Sequence, residues 1–331
     1  VDRRPTLDRR QVLYLGAATF GSRLLPACDN LVLPDFPTGQ ATSPITPTNE
    51  FYTQSCCGTP DVDVSAWRLR ILGLGEPLAE LDAAFLDTLT PRTKEHTLQC
   101  IGGGPGSQQI SNALWGGLPL RELLDLLGVQ VPATAIAQKW TCADDYHTGL
   151  PIEDLDTMWA VWLLNDRPLP PAHGAPLRLL TPGRYGTKNP KWPIELDLVD
   201  TPHTGFWEAR GWSDEAFYKA NGFIVAPRDQ TSVMVGPVEI RGTAFAGDDP
   251  IARVEVTTNG GESWREATLT YQGGPDIWTL WSIDWDPEEP GSYAVQVRVT
   301  TESGAMSSPS PDATNRLEGY DGSMQIEVQV V

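Results

Sequence analysis

Polar and apolar positions alternate along Trp67-Arg68-Leu69-Arg70-Ile71-Leu72 and stop at Gly73, the period-two pattern of a half-buried strand. Between Leu118 and Val129 the spacing changes. Leu120, Leu123, Leu124, Leu126 and Leu127 fall in a helix-like spacing, which predicts an amphipathic helix ended by Gly128. Trp159 to Leu164 is a short apolar run closed by Asn165-Asp166, and Leu177 to Leu180 is another closed by Pro182-Gly183, each a strand and turn. Strand and helix signals mix without a βαβ rhythm, so residues 49–226 are expected to form an α+β domain. From Pro227 onward only strand patterns remain: Val233 to Ile240, Ile251 to Thr257, Trp264 to Thr270, Trp278 to Trp285, Tyr293 to Val299 and Met324 to Val331. Turns such as Asn259-Gly260-Gly261 and Pro290-Gly291 separate them, which predicts an all-β immunoglobulin-like sandwich over residues 227–331.

The chain of 331 residues is long enough for two cores, and its 31 Gly and 29 Pro agree with a β-rich, turn-rich path. A formal charge of -19 repels phosphate backbones and argues against nucleic acid as a partner. Five cysteines (Cys28, Cys56, Cys57, Cys100 and Cys142) form no CxxC, CxxCH or zinc spacing, so a thiolate iron–sulfur cluster and a covalently attached c-type haem are not expected. The first residues read as an export segment, 1–28. Arg9-Arg10 resembles a twin-arginine signal, and Leu25-Pro26-Ala27-Cys28 resembles a lipobox, so a periplasmic or otherwise extracytoplasmic protein, lipid-anchored through Cys28, is expected. A short amphipathic helix in a cytoplasmic protein is the plainer alternative. Residues 29–48, rich in Pro, Thr and Ser, read as a linker.

Two segments carry candidate chemistry. Thr97-Leu98-Gln99-Cys100 closes a strand and enters a loop holding Gly102, Gly103, Gly104, Pro105 and Gly106. Glycines let backbone approach a bulky group, and a thiolate is a soft ligand for a soft metal, although a structural cysteine beside a glycine turn has the same appearance. The second segment, His173 to Trp192, contains His173, Arg178, Arg184, Lys188 and Lys191 and no acid, in a strongly acidic chain. Such a loop suits a phosphate group through forked arginine bonds and a lysine point charge, or it is simply a solvated basic loop.

The order of Leu98-Gln99-Cys100, Trp115-Gly116-Gly117-Leu118-Pro119, Asn165-Asp166-Arg167-Pro168 and His173-Gly174 through Lys191-Trp192 is similar to the sulfite oxidase family of molybdopterin-dependent oxidoreductases. Asn49-Glu50-Phe51-Tyr52-Thr53-Gln54 looks like the family segment that wraps the pterin, and the predicted sandwich looks like its dimerisation domain. The resemblance covers about residues 45–331. It implies molybdenum–molybdopterin as cofactor, no haem, and a possible homodimer. It matches Cys100 to the molybdenum ligand. Asn49, Tyr52, Thr53, Gln54, Asp144 (or its neighbour Asp145), His173, Arg178, Asn189, Pro190 and Lys191 match positions that contact the pterin. Trp212 stands where a tyrosine over the metal is expected, and Tyr146 with His147 could donate protons.

The chain departs from the sulfite-oxidising pattern at Gln54, Gly103, Gly104 and Pro105, where arginines are expected. A sulfite dianion would lose its charge-assisted hydrogen bonds there, unless Arg184, Lys188 or Arg210 compensates, so a neutral or larger substrate is favoured. The implied activity is two-electron oxygen-atom transfer, with electrons exchanged with a separate electron-transfer protein or quinone-linked partner. Reduction of sulfoxides such as methionine sulfoxide is the alternative, and an inactive cell-surface binding protein on the same fold is a rival of another class. Adjacent cysteines seldom bond to each other, so Cys56 and Cys57 are expected as two thiols.

Overall fold

The computed structural model describes residues 43–105 and 109–331. The export segment with Arg9, Arg10 and Cys28, and the linker as far as residue 42, lie outside the described residues. Among the described residues no helix is long and apolar enough to cross a membrane.

The first half of the chain builds two sheets from ten strands: β1 (Arg68–Gly73), β2 (Glu76–Asp82), β3 (Arg92–Gln99), β4 (Ile110–Pro119), β5 (Ala137–Cys142), β6 (His147–Pro151), β7 (Trp159–Leu164), β8 (Arg167–Pro168), β9 (Arg178–Leu180) and β10 (Pro193–Val199). One sheet runs β2-β1-β10-β5-β6, with β1 and β10 parallel. The other runs β3-β4-β7-β8, with β9 also on β7. In β1 the buried side chains are Leu69, Ile71 and Gly73, as the alternation requires.

The expected helix over 118–129 is shorter. Leu118 and Pro119 finish β4 by pairing with Ala160 and Trp159, and α2 (Leu120–Leu126) starts only there, following the short α1 (Ala83–Asp87). Leu120, Leu123 and Leu124 are buried, and Gly128, at φ +72°, turns the chain out of the helix region. The glycines before the helix serve the strand. The register shifts between Gly116 and Gly117, and a Cβ on Gly117 would stand 2.1 Å from the Ala160 carbonyl oxygen.

The C-terminal part has nine strands: β11 (Asn221–Ala226), β12 (Thr231–Val233), β13 (Val238–Phe245), β14 (Ile251–Thr257), β15 (Arg265–Glu266), β16 (Thr268–Gln272), β17 (Thr279–Trp285), β18 (Gly291–Thr301) and β19 (Gln325–Val330). They form two sheets, β11-β13-β17-β16 and β12-β19-β18-β14-β15, whose inner faces share one core around Phe223, Ile240, Val254, Trp281, Val297 and Val328. The single strand expected over 233–240 is broken at Gly236, at φ +116°, and Pro237. The one expected over 264–270 is also two. β15 pairs with β14 and β16 with β17, so the chain changes sheets at buried Ala267.

The two halves are bonded across β3 and its neighbours. Thr97 N donates to Asp276 O at 2.8 Å, Trp278 N donates to Thr97 Oγ1 at 2.9 Å, and Gly183 N donates to Asp276 Oδ1 at 2.8 Å. Tyr271 Oη adds a bond to Glu95 Oε1 at 2.5 Å. These contacts fix the strand that delivers Cys100 and the turn within the cationic segment.

Candidate active site

Cys100 follows β3 directly. Its amide donates to Gln109 O at 2.9 Å, extending the β3–β4 ladder by one step, and Gly103 N donates back to Cys100 O at 2.9 Å to turn the chain. The side chain is half-buried and its thiol is not in a disulfide.

The cationic segment is folded into a narrow hairpin. Arg178 and Lys191 are bridged backbone to backbone, so their side chains leave the same face, with Gly174 tucked against the Cβ of both. Arg178 is 6% exposed and its Nε has no hydrogen-bond partner. Its Nη1 reaches His173 O at 3.5 Å, and the guanidinium lies 5.4 Å from the Trp115 ring centre. Burial holds Arg178 down to about 10, with Tyr52 and Tyr218 opposing. His173 is buried, hydrogen-bonds the Thr48 backbone, stacks edge-on against Phe51, and leaves Nδ1 without a partner. Burial first, then Arg178 and Lys191, bring it down to about 4. Lys191 donates to Ala172 O at 3.0 Å and is held down to about 7, chiefly by burial and then by Arg178. Three cationic or basic groups therefore meet in a buried place, and two of them keep an unused polar atom.

Gly186 and Tyr52 link the Cys100 strand to the segment that carries this cluster. A Cβ on Gly186 would lie 3.2 Å from Tyr52 Oη, 3.4 Å from Gln99 O and 4.0 Å from the Cys100 Cα, so the glycine permits the hairpin to pass against the Cys100 strand. Tyr52 spans the gap. Burial pushes its hydroxyl far above the usual phenol range, Cys100 adds to the rise, and Arg178 opposes it. Gln54 reaches the same loop by accepting from Gln109 Nε2 at 3.1 Å. Trp212 covers it from the other side, its ring edge 3.4 Å from where a Gly102 Cβ would be. Asp144 is 9% exposed and raised by burial, and its charge is coupled to Lys191.

Other expected members are placed differently. Asn49, Thr53 and Asp145 are exposed. The Asn189 side chain is spent on its own hairpin, accepting from Thr181 N at 2.7 Å and donating to Arg184 O at 3.0 Å and Tyr185 O at 2.9 Å. Pro190 is buried and its carbonyl accepts from Leu179 N at 2.9 Å. Tyr146 donates its hydroxyl to Thr187 O, and His147 Nδ1 faces His203 Nε2 at 2.9 Å, so each has a partner of its own. Arg184 and Lys188 do not stand in for the absent arginines. Arg184 Nε pairs with Asp154 at 2.9 Å, and Lys188, 1% exposed at its side chain, pairs with Glu208 and, at 2.9 Å, with Asp214. Arg210 is exposed and stacked on Phe206. The two adjacent cysteines, expected as thiols, are joined as a vicinal disulfide.

Tyr218, Tyr185 and Gln109 are members the sequence did not single out. Tyr218 Oη accepts from Gln99 N at 3.5 Å, and Tyr185 is coupled to Cys100. Isolated tyrosines carry no local pattern that marks them. Among the described residues no group of three or more His, Cys, Asp or Glu side chains is arranged to hold a metal ion.

Residues 57–207 match the family described as oxidoreductase molybdopterin binding domain, and residues 202–322 match the Mo-co oxidoreductase dimerisation domain. Mitochondrial sulfite oxidase of Rattus norvegicus is 28% identical over 288 residues, covering 72% of this chain and 52% of that protein. An NADH nitrate reductase of Brassica napus is 26% identical, covering 72% of this chain and 33% of that one. The chain thus spans about half the length, or less, of these curated relatives. Among solved structures, the sulfane dehydrogenase SoxCD of Paracoccus pantotrophus superposes with a TM-score of 0.76 at 24% identity, covering 86% of this chain and 80% of that chain.

Proposed function

The chain belongs to the sulfite oxidase family of molybdopterin-binding oxidoreductases, and from that premise we propose that it is a molybdenum enzyme of two-electron oxygen-atom transfer acting on a neutral substrate. The observation that carries the reading is the pair of unused buried atoms, His173 Nδ1 and Arg178 Nε, beside Lys191, on a segment whose Gly186 passes against the Cys100 strand. Asp144 is coupled to Lys191, but His173 Nδ1 and Arg178 Nε are left unsatisfied, which is costly unless an anion completes the cluster, and a pterin phosphate has the charge and the acceptor oxygens to do so.

Cys100 would hold the metal through its sulfur. Arg178, Lys191 and His173 would hold the anionic tail, with Arg178 kept rigid by Trp115 and Lys191 by Ala172 O. When bound, the cofactor supplies the two-electron redox step. The remaining work belongs to side chains. Trp212 covers the Gly102 turn and excludes water from the thiol side, and the high pKa of Tyr52 keeps its hydroxyl protonated beside Cys100. Gln54, Gly103 and Gly104 leave this rim without the arginines a sulfite dianion would need, which favours a sulfoxide or another neutral sulfur compound.

The two C-terminal sheets fit an immunoglobulin-like dimerisation domain, and we place a homodimer contact there, a separate electron partner outside the chain, and export through the twin-arginine segment. The test is the molybdenum and pterin content of protein from cofactor-competent cells, followed by two assays. Turnover of methionine sulfoxide with a reduced dye, exceeding turnover of sulfite with an acceptor, supports a neutral substrate. Protein without molybdenum refutes the enzyme reading, and faster sulfite turnover refutes the substrate class.

A further inference from the structure

The vicinal disulfide has no part in the proposed molybdenum chemistry. Cys56 and Cys57 are bonded with Cα atoms 3.8 Å apart, Cys57 is exposed, and Cys56 is half-buried. Cys56 Sγ lies 3.8 Å from Asp144 Oδ2 and 3.9 Å from Asp144 O. The pair is thus asymmetric, with Cys57 an exposed residue and the Cys56 sulfur against the carboxyl group of Asp144, a residue 9% exposed.

We propose that Cys56–Cys57 is a redox site that exchanges two electrons with a dithiol in the folded protein, with Cys57 the attacked sulfur and Cys56 the leaving sulfur beside Asp144. Exchange depends on access to the attacked sulfur and on how well the departing thiolate is stabilised. A thiolate of the dithiol attacks Cys57 Sγ, the Cys56–Cys57 bond breaks, and a mixed disulfide forms on Cys57. Cys56 leaves as a thiolate and takes a proton from the Asp144 carboxyl. Burial raises that carboxyl above the usual carboxylate range, and Lys191 stabilises the carboxylate left behind. The second thiol of the dithiol then attacks the mixed disulfide. Cys57 departs as a thiolate, is protonated by water, and the dithiol leaves as a disulfide. The pair gains two electrons and two protons, the dithiol loses the same, and Asp144 is reprotonated from solvent. The exchange takes place at sulfur alone, so it stands or falls independently of the molybdenum reading.

The test uses the full chain with dithiothreitol in buffer without denaturant, quenched by iodoacetamide and read by peptide mass spectrometry. Cys56 and Cys57 should be alkylated only after reductant, while Cys142, 2% exposed, stays unlabelled and reports an intact fold. Removing the reductant under air should restore the disulfide. Asp144→Asn should slow reduction by about tenfold, whereas Asp61→Asn, at an exposed position, keeps the parent rate. Single-cysteine variants give an independent reading of orientation: the Cys57 thiol left by Cys56→Ser should alkylate about tenfold faster than the Cys56 thiol left by Cys57→Ser. Reduction that requires unfolding, alkylation before any reductant, or the opposite order of thiol reactivity overturns the proposal.

Discussion

Replacing Arg178 by methionine should move the cofactor-free and cofactor-loaded proteins in opposite directions. The guanidinium is 6% exposed, and Tyr52 and Tyr218 oppose the cost of burial. Its pKa falls from 12.5 to about 10. A base with a lowered folded pKa carries its full penalty below that folded value, and the penalty fades only as pH rises from about 10 towards 12.5. At neutral pH the difference corresponds to about 3 kcal/mol. Losing the contact with the Trp115 ring returns about 1 kcal/mol of that. The cofactor-free Arg178→Met protein should therefore be more stable by about 2 kcal/mol, seen as a melting temperature higher by several degrees. Affinity for the pterin should fall instead. Truncating one side of a buried charged pair costs about 2–5 kcal/mol, or roughly thirtyfold to several thousandfold in binding. The assay is a thermal melt of protein from cells that cannot make pterin, set beside molybdenum content from cells that can. A cofactor-free variant that melts below the parent would mean that the protein itself satisfies the guanidinium, and the reading of an anion-binding cluster would fail.

Lys191, brought down to about 7, should give pH-dependent anion binding. Below that value the free protein already carries the charge. Above it binding must take up a proton, so pyrophosphate affinity should fall by up to about tenfold per pH unit in calorimetry between about pH 6 and pH 9, and Lys191→Gln should flatten the curve. Cys100→Ser should leave the stability of cofactor-free protein within about 1 kcal/mol of the parent while abolishing turnover in either dye assay. Gln54→Arg should strengthen sulfite binding by about tenfold, measured as a lower sulfite KM, because a charge-assisted bond enters a rim that now offers an amide. Gly117→Ala should cost about 3 kcal/mol or prevent soluble expression, since the added methyl meets the Ala160 carbonyl at 2.1 Å.

Much of the C-terminal half was legible because its strands have one wet and one dry face, so the alternation survives in the sequence. β14 and β17 lie close to their expected ranges. The central strand β4 was not legible. It is buried on nearly all positions, carries two glycines and runs into a leucine-rich turn, so the expected helix absorbed its last residues. In the site, Cys100, Arg178, His173 and Lys191 were visible as soft-ligand and cation signals and are together in space. Arg184 and Lys188 carried the same signal but are claimed by Asp154, Glu208 and Asp214, partners too distant along the chain for local composition to disclose. The His147–His203 contact was hidden for the same reason, with 56 residues between its members.

Asp276 holds the Cys100 strand with its carbonyl and the turn within the cationic hairpin with its carboxyl group. A single residue of the C-terminal part thereby ties the strand that carries the thiol to the hairpin that carries the cation cluster. The two halves are consequently not interchangeable parts: grafting the C-terminal half of a relative onto this one would transplant the ruler by which the catalytic centre is measured, and function would survive only where the substitute kept that residue's reach.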